Sequence, residues 1–493
     1  MTLKSGPCLV FVFAIALGGV AGGQDPAPDE TPDTPSFKPP KYQWPLRHDE
    51  DWSGLGEVPE SAESDSWNPI KYVKLSDDGK IWASFGGSLR LRLESWWNFE
   101  FTPSPAGDDT FLLFQALVHG DFHLGDNVRV FLQGKSALAT DRTLPGGKRI
   151  LDVDTVALQQ GFVDVRVPLD DEGTSFVVRP GRQMYQFGAE RLVSPLQWSN
   201  TMRAWDGVTG ILEWNDWRID GFVSYFVPVR KYDYNKPDQD TVFYGVYATG
   251  GIGDAGVGTD FYFLGLNKKN AQTYNGTTGP EDRYTLGARA FGTVPDTSFD
   301  YNVEGAYQFG RVGSANVNAY MFGGQFGYTF GGAWSSPRLF AGLEMGSGDS
   351  SSGGDVQTFN QIFPLGHAWL GHADIIGRQN IIAPNLGAKF KPIKKLTIGL
   401  NGLYFVRAST SDGLYGVGGS ITRSGSLPLV AGQTGLSSAR TVGQEIDLTL
   451  TYQLDRHTTA EFGYSHFFPG DFIKETGPAP DVDFLYLQVQ YTF

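Results

Sequence analysis

Arg90, Arg92 and Glu94 stand at alternate positions in the run Ser88-Leu89-Arg90-Leu91-Arg92-Leu93-Glu94. Alternate residues of an extended chain share a face, so two guanidiniums and a carboxylate project together while Leu89, Leu91 and Leu93 project the other way. The same parity places Arg129, Lys135 and Arg289, with Asp121, Asp164, Glu304 and Glu461, on the polar faces of other strand-like stretches. Arg182, Arg191 and Arg203, with Asp206, fall at or near a strand–loop–strand junction. Rows of guanidinium and carboxylate have two uses. They pair with each other and stiffen a wall, or they line a passage and select by charge what moves along it.

Other chemistries find little support. His119-Gly-Asp-Phe-His123 is the best catalytic candidate, since both imidazoles and Asp121 share a polar face. Nucleophilic catalysis needs a nucleophile beside a positioned base, and no serine in a recognisable motif lies near. The cluster also lacks the spacing and third ligand of a helical zinc site. His367 and His372 sit in a long loop, where a solvated histidine needs no role. The one cysteine is Cys8, there is no Gly-rich phosphate loop, and the formal charge of -15 argues against a nucleic-acid binder. The expectation is a protein that is not an enzyme and takes no cofactor or metal.

The elements that must position these residues are strands. Charged residues make up 19% and aromatics 14% of the 493, with 64 glycines, a mix suited to one face in lipid, aromatic girdles and tight turns. Residues 1–23 read as a signal peptide: Lys4, an apolar stretch over 7–20, then Ala21-Gly22-Gly23. Residues 24–80 read as a periplasmic segment, largely disordered. Proline and acid are dense over 24–40, whereas 41–78 carry Trp44, Trp52, Trp67 and Tyr72 and either pack at a lumen mouth or form a mobile linker. Past the signal no stretch approaches the roughly 20 apolar residues of a spanning helix.

From residue 81 to 493 period-two alternation recurs. Eighteen strands start near Phe85, Phe111, Val128, Val156, Ser175, Arg203, Trp217, Val242, Gly258, Arg283, Phe299, Asn318, Pro337, Gln379, Leu396, Val442, His457 and Val482. Tight connections such as 125–127 and 215–216 alternate with long ones such as 139–155 and 408–441. Outer-membrane barrels keep short turns in the periplasm and long loops outside, and an even strand count leaves both termini periplasmic. The last strand ends on Phe493 with Leu485, Leu487, Val489 and Tyr491 on the same face, which resembles the signal read by barrel-assembly machinery. Left unpaired it would be an aggregating edge, and closure against the first strand removes that edge. The fold class is therefore all-β, a transmembrane antiparallel barrel of about eighteen strands.

Arg179-Pro180-Gly181-Arg182-Gln183, Phe187-Gly188, Arg191-Leu192-Val193, Asn200 and Arg203-Ala204-Trp205-Asp206-Gly207-Val208, taken together in this order, resemble the signature of the alginate export family of outer-membrane proteins. Residues 47–52, 71–75 and 86–92 are similar to the family's entry into its first strand. Residues 346–349 and 359–364, with His367, Asp374 and Asn380, resemble its central loop, and 443–448 and 463–472 its last strands. The resemblance implies eighteen strands and passage of an anionic polysaccharide through a lumen lined with arginine and lysine. On this reading Arg90, Arg92, Arg182, Arg191 and Arg203 form the basic part of a constriction, with Arg129, Arg289, Glu94 and Asp206 along the path. The mixed inward charge also fits a porin for other small polar solutes. An adhesin or receptor built on loops 346–377 and 408–440 is a third reading. Outer-membrane lipid, the solute and, for an exporter, a synthase and periplasmic scaffold are the implied partners of a monomer. The Gly/Ser-rich loops are expected to cover the pore mouth. Deletion of residues 414–436 should then raise single-channel conductance, and an unchanged conductance would count against an inward-folding loop.

Overall fold

Strands that are apolar on one face and charged on the other are stable where the two faces meet different media. The computed structural model describes residues 39–57, 65–253, 257–270, 274, 276–351 and 353–493. The signal peptide and nearly all of the 24–40 tether lie outside the described residues. Eighteen antiparallel strands follow in chain order. They are β1 (Ile81–Trp97), β2 (Asp109–Leu124), β3 (Val128–Ala139), β4 (Asp154–Pro168), β5 (Ser175–Gln183) and β6 (Ala204–Trp214). Then come β7 (Trp217–Val227), β8 (Thr241–Ile252), β9 (Val257–Lys268), β10 (Glu281–Thr293), β11 (Phe299–Val312) and β12 (Ala315–Thr329). The last six are β13 (Arg338–Gly346), β14 (Ile381–Ile393), β15 (Leu396–Arg407), β16 (Thr441–Gln453), β17 (Thr458–Pro469) and β18 (Val482–Thr492).

Each strand pairs with its sequence neighbour, and β1 pairs with β18 from Ser88↔Thr492 to Trp97↔Asp483, which closes the sheet. All eighteen expected strands are present, with starts displaced by a few residues at most, such as Ile81 for Phe85. Closure leaves no edge, so the backbone is paired within the wall, as a lipid environment demands. No helix among the described residues is long and apolar enough to cross a membrane.

Burial is inverted relative to a water-soluble protein. Arg90 and Arg92 are each 3% exposed, whereas Leu91 between them is 47% exposed. The alternation of connections holds with one exception. Residues 313–314 make a two-residue link at the long-loop end, and 330–337 make a longer one at the short-turn end.

The lumen is not an open bore. Loops 184–203, 347–380 and 408–440 fold inward from the long-loop end. Leu370, Ile376 and Leu414 pack against Phe405, Phe467 and Phe484 of the wall, and Leu192, Val193 and Phe363 pack against Trp205, Phe222 and Phe243. The inward faces of β6 to β8 are thus partly aromatic, because they meet apolar loop side chains instead of water.

At the short-turn end the lumen mouth is occupied by the segment before β1. Arg47 donates to the carbonyls of Gly87 at 2.9 Å and Phe493 at 3.0 Å, bridging the β1–β18 seam. Trp67 stacks on Phe493 with centroids 4.4 Å apart and donates to the Tyr491 hydroxyl at 2.6 Å. His48 is buried between Phe131 and Phe162 and meets Arg179 at 3.0 Å. Residues 39–57 and 65–80 therefore pack against the wall, the first of the two possibilities the tryptophans left open.

A charge placed on the exposed leucine face would sit in hydrocarbon. Leu91→Arg is expected to destabilise the refolded barrel by roughly 2–4 kcal/mol in denaturant titration in liposomes. A loss well under 1 kcal/mol would show that this face does not meet lipid.

Candidate functional site

A guanidinium carries five N–H donors and cannot lose its charge, so burial inside a lumen obliges it to find acceptors. Three of the arginines singled out above, Arg90, Arg92 and Arg203, find them in the infolded loops. Arg90 donates to the carbonyls of Gln197 at 2.8 Å and Ser199 at 2.6 Å, and Arg92 to that of Trp198 at 2.6 Å. Arg92 also pairs with Glu94 at 2.8 Å. Arg203 donates to the carbonyls of Phe363 at 2.7 Å and Pro364 at 2.9 Å, tying loop 184–203 to loop 347–380. Arg191 reaches Glu344 at 2.9 Å and Glu304 at 3.2 Å on the opposite wall and lies 3.8 Å over the Trp369 ring. Asn200 donates to three carbonyls, of Phe114, Leu138 and Asp152.

Two further arginines belong to the wall. Arg129 forms a fork with Asp121 at 2.7 and 2.6 Å, and Arg289 pairs with Asp260 at 2.5 Å. Gly188, with φ +56°, lies against that last pair, where a Cβ would collide with the Tyr247 hydroxyl beside it.

Arg182 and Asp206 are a correction. Their fork at 2.6 and 2.8 Å is a cross-strand pair of β5 and β6, on the same face as Phe176 and Val208, which are exposed to the lipid side. Arg179 points inward, so Arg182, three residues on, points outward. Its charge is tolerated because Asp206 lies directly opposite and loop 228–240 covers the pair through the Asn235 carbonyl. Neither residue lines the lumen.

Three of the expected residues come together. Arg92, Glu94 and Arg203 line a chamber of about 770 Å³ at the long-loop end. Arg149 and Arg423 join them there, with Glu100, Asp152 and Asp374 and the rings of Trp96, Phe99, Trp198 and Phe484. Sequence parity missed Arg149 and Arg423 because both lie in loops, which have no face to assign. Arg129 instead lines a second cavity of about 620 Å³ at the short-turn end, with His48, Arg179 and Arg218. Arg90, Arg191 and Arg289 open onto neither.

The histidines have structural surroundings. His119 stacks on Phe131, and His123 stacks on Trp82 with centroids 3.8 Å apart. His367 and His372 are not solvated, since loop 347–380 carries them into the lumen, where they stack on each other at 4.4 Å. Burial pushes His367 down to about 3, so the ring is neutral at ordinary pH, and its Nδ1 lies 3.0 Å from Asp374 Oδ2. Burial pushes the Asp374 carboxyl up to about 7, against the opposing pull of His372, Trp198, Arg92 and Arg149.

Known proteins place this architecture. Similar solved structures include the Pseudomonas aeruginosa proteins OccD3 (OpdP), OpdK with vanillate, and OccK2 (OpdF) in complex with glucuronate. OccD3 has a TM-score of 0.53 at 9% identity, covering 86% of this chain and 93% of that one. OpdK has a TM-score of 0.53 at 10% identity, covering 83% and 98%. OccK2 has a TM-score of 0.51 at 12% identity, also covering 83% and 98%. At such identities the likeness is one of fold, a closed antiparallel β-barrel. No curated protein matches the chain. The family model for alginate export matches residues 81–483, from the first residue of β1 into β18. An inside-out eighteen-stranded barrel that matches this model over nearly its whole wall is an outer-membrane channel and not an enzyme, and the chain belongs to the alginate export family.

Proposed function

We propose that this channel passes acidic saccharides, either a uronate polymer threaded as a single extended chain or its short oligomers. The chamber at the long-loop end carries the reading, because guanidiniums and aromatic faces meet there around one space. A planar guanidinium matches a carboxylate with two parallel hydrogen bonds. An aromatic face offers an apolar platform to the carbon face of a sugar ring. Arg203 and Arg423 supply the first, beside Arg92 paired with Glu94 and Arg149 forked to Asp152, and Trp96, Trp198 and Phe484 the second. Glu94, Glu100 and Asp152 line the same chamber and moderate its field, so that binding is weak enough for release. Long loops outside, short turns and both termini in the periplasm, and passive conduction by a monomer complete the reading. The segment before β1 would then face a periplasmic scaffold.

One observation favours a second reading. Three loops fill much of the lumen, which suits a selective pore for small polar solutes better than a wide conduit for polymer.

Recordings from the refolded barrel in planar bilayers under a salt gradient separate the two. Anion preference with current interruptions by oligouronate is expected. Arg149→Ala with Arg423→Ala should lower the anion-to-cation permeability ratio by about threefold, the equivalent of roughly 0.7 kcal/mol. Weak or cation selectivity without interruptions would leave the small-solute pore. The chamber also carries a pH signature. Below its raised value near 7 the Asp374 carboxyl is neutral, and above it ionised, so rising pH adds a negative charge to the lining. Anion preference should fall between about pH 5 and pH 9, and Asp374→Asn should flatten that step.

A further inference from the structure

A third cavity, of about 360 Å³, lies along the wall formed by β12 to β18. Its upper end is roofed by His367, Trp369 and His372 of loop 347–380, together with Trp198 of loop 184–203. It extends toward the short-turn end, where Thr451 stands near the end of β16 and Glu461 near the start of β17. Its lining differs in kind from that of the outer chamber. It has no guanidinium; beside Lys389, Asp447 and Glu461 it presents amides and hydroxyls, from Asn385, Asn401, Thr449 and Thr451. The Oδ1 atoms of Asn385 and Asn401 and the Nδ1 atom of His372 are buried and accept or donate no hydrogen bond within the described protein. The room for these groups is built in: a Cβ at Gly342 would strike the Asn385 amide, and one at Gly399 the Thr449 hydroxyl.

This cavity, a lane along the wall, adjoins the outer chamber. Of the residues lining them, Trp198 alone belongs to both. Its indole is held between two partners, stacked on His367 with centroids 3.6 Å apart and lying 4.1 Å beneath the Arg92 guanidinium. Its opposite edge meets Tyr486 at 4.9 Å. This one side chain thus stands between a cavity rich in guanidiniums and one that offers amides and hydroxyls beside one ammonium and two carboxylates.

We propose that the lane is a second saccharide subsite, one that reads hydroxyl groups, and that Trp198 is the door through which it is reached from the outer chamber. The inference rests on the saccharide reading above and names where the neutral part of the ligand is held. Amides and threonine hydroxyls present paired donors and acceptors, the chemistry of a sugar's vicinal hydroxyls, and leaving such buried groups unpaired is costly. The indole and imidazole rings of the roof offer the apolar platform. A solute crossing the barrel thus exchanges carboxylate contacts with arginine for hydroxyl contacts with amide.

Thr449→Val and Asn401→Leu keep side-chain bulk and remove hydrogen bonding. The full barrel of each is compared with wild type in single-channel recordings, with a short oligouronate and a neutral glucose oligomer as probes. Folded barrels are identified by their heat-dependent mobility on gels, and if one variant does not fold the other decides. The double variant is expected to shorten the dwell time of both probes about tenfold, the loss of two hydrogen bonds. Trp198→Ala is expected to raise the rate at which either probe enters from the long-loop side. Dwell times equal to wild type in folded variants, with wild type itself blocked, would overturn the lane and leave the channel's saccharide preference standing. A wild type blocked by neither probe would overturn that preference, and the lane with it.

Discussion

A side chain on a barrel strand points into lipid or into the lumen, and a guanidinium on the lipid side is costly unless it is neutralised, as Asp206 neutralises Arg182. Arg90 and Arg92 are turned inward on β1, Arg191 and Arg203 are carried inward by loop 184–203, and once inside they must be satisfied. Wall carboxylates meet part of that demand, and the rest is met by backbone carbonyls of loops drawn into the lumen. Arg90 and Arg92 take three such carbonyls from residues 197–199, and Arg203 takes two more from loop 347–380. Losing one partner of a buried charge typically costs about 3–5 kcal/mol, so these clamps set the position of the infolded loops. The charges that look on paper like a conduction path are largely the anchors of the plug.

The same constraint explains why so little of the inward charge is free. Arg129 with Asp121, Arg289 with Asp260 and Arg191 with Glu304 and Glu344 are paired inside a wall that excludes lipid. What remains for a solute is confined to cavities between plug and wall. In the outer one the charged groups converge with aromatic rings. In the inner one amides and hydroxyls stand beside Lys389, Asp447 and Glu461, with no guanidinium. Trp198, set by the carbonyl it offers to Arg92, separates them.

The segment before β1 brings a related economy to the other mouth. Its Arg47 and Trp67 fasten both sides of the seam where the first and last strands meet. A sheet closed only by its two terminal strands depends on that pairing, and the segment adds side-chain contacts across it. His48 at the same time fills space between aromatic residues of β3 and β4.

The strands were legible in the sequence, because period-two alternation is a local property and each strand records its own two faces. Their number, their order, the closure on Phe493 and the inverted burial of Arg90 and Leu91 all follow from it. Strand parity alone sets Arg182, three residues from Arg179, on the opposite face from it; its place in a family motif at a strand–loop–strand junction is what drew it into the lumen. The loops record no such period. That loop 347–380 carries His367 into the lumen, that Arg149 and Arg423 join Arg92 in one chamber, and that Trp198 stands between two cavities were decided by the tertiary structure alone. Whether a loop folds inward depends on apolar contacts and unfilled hydrogen bonds contributed by strands far away in the chain, and no stretch of sequence holds both halves of that exchange.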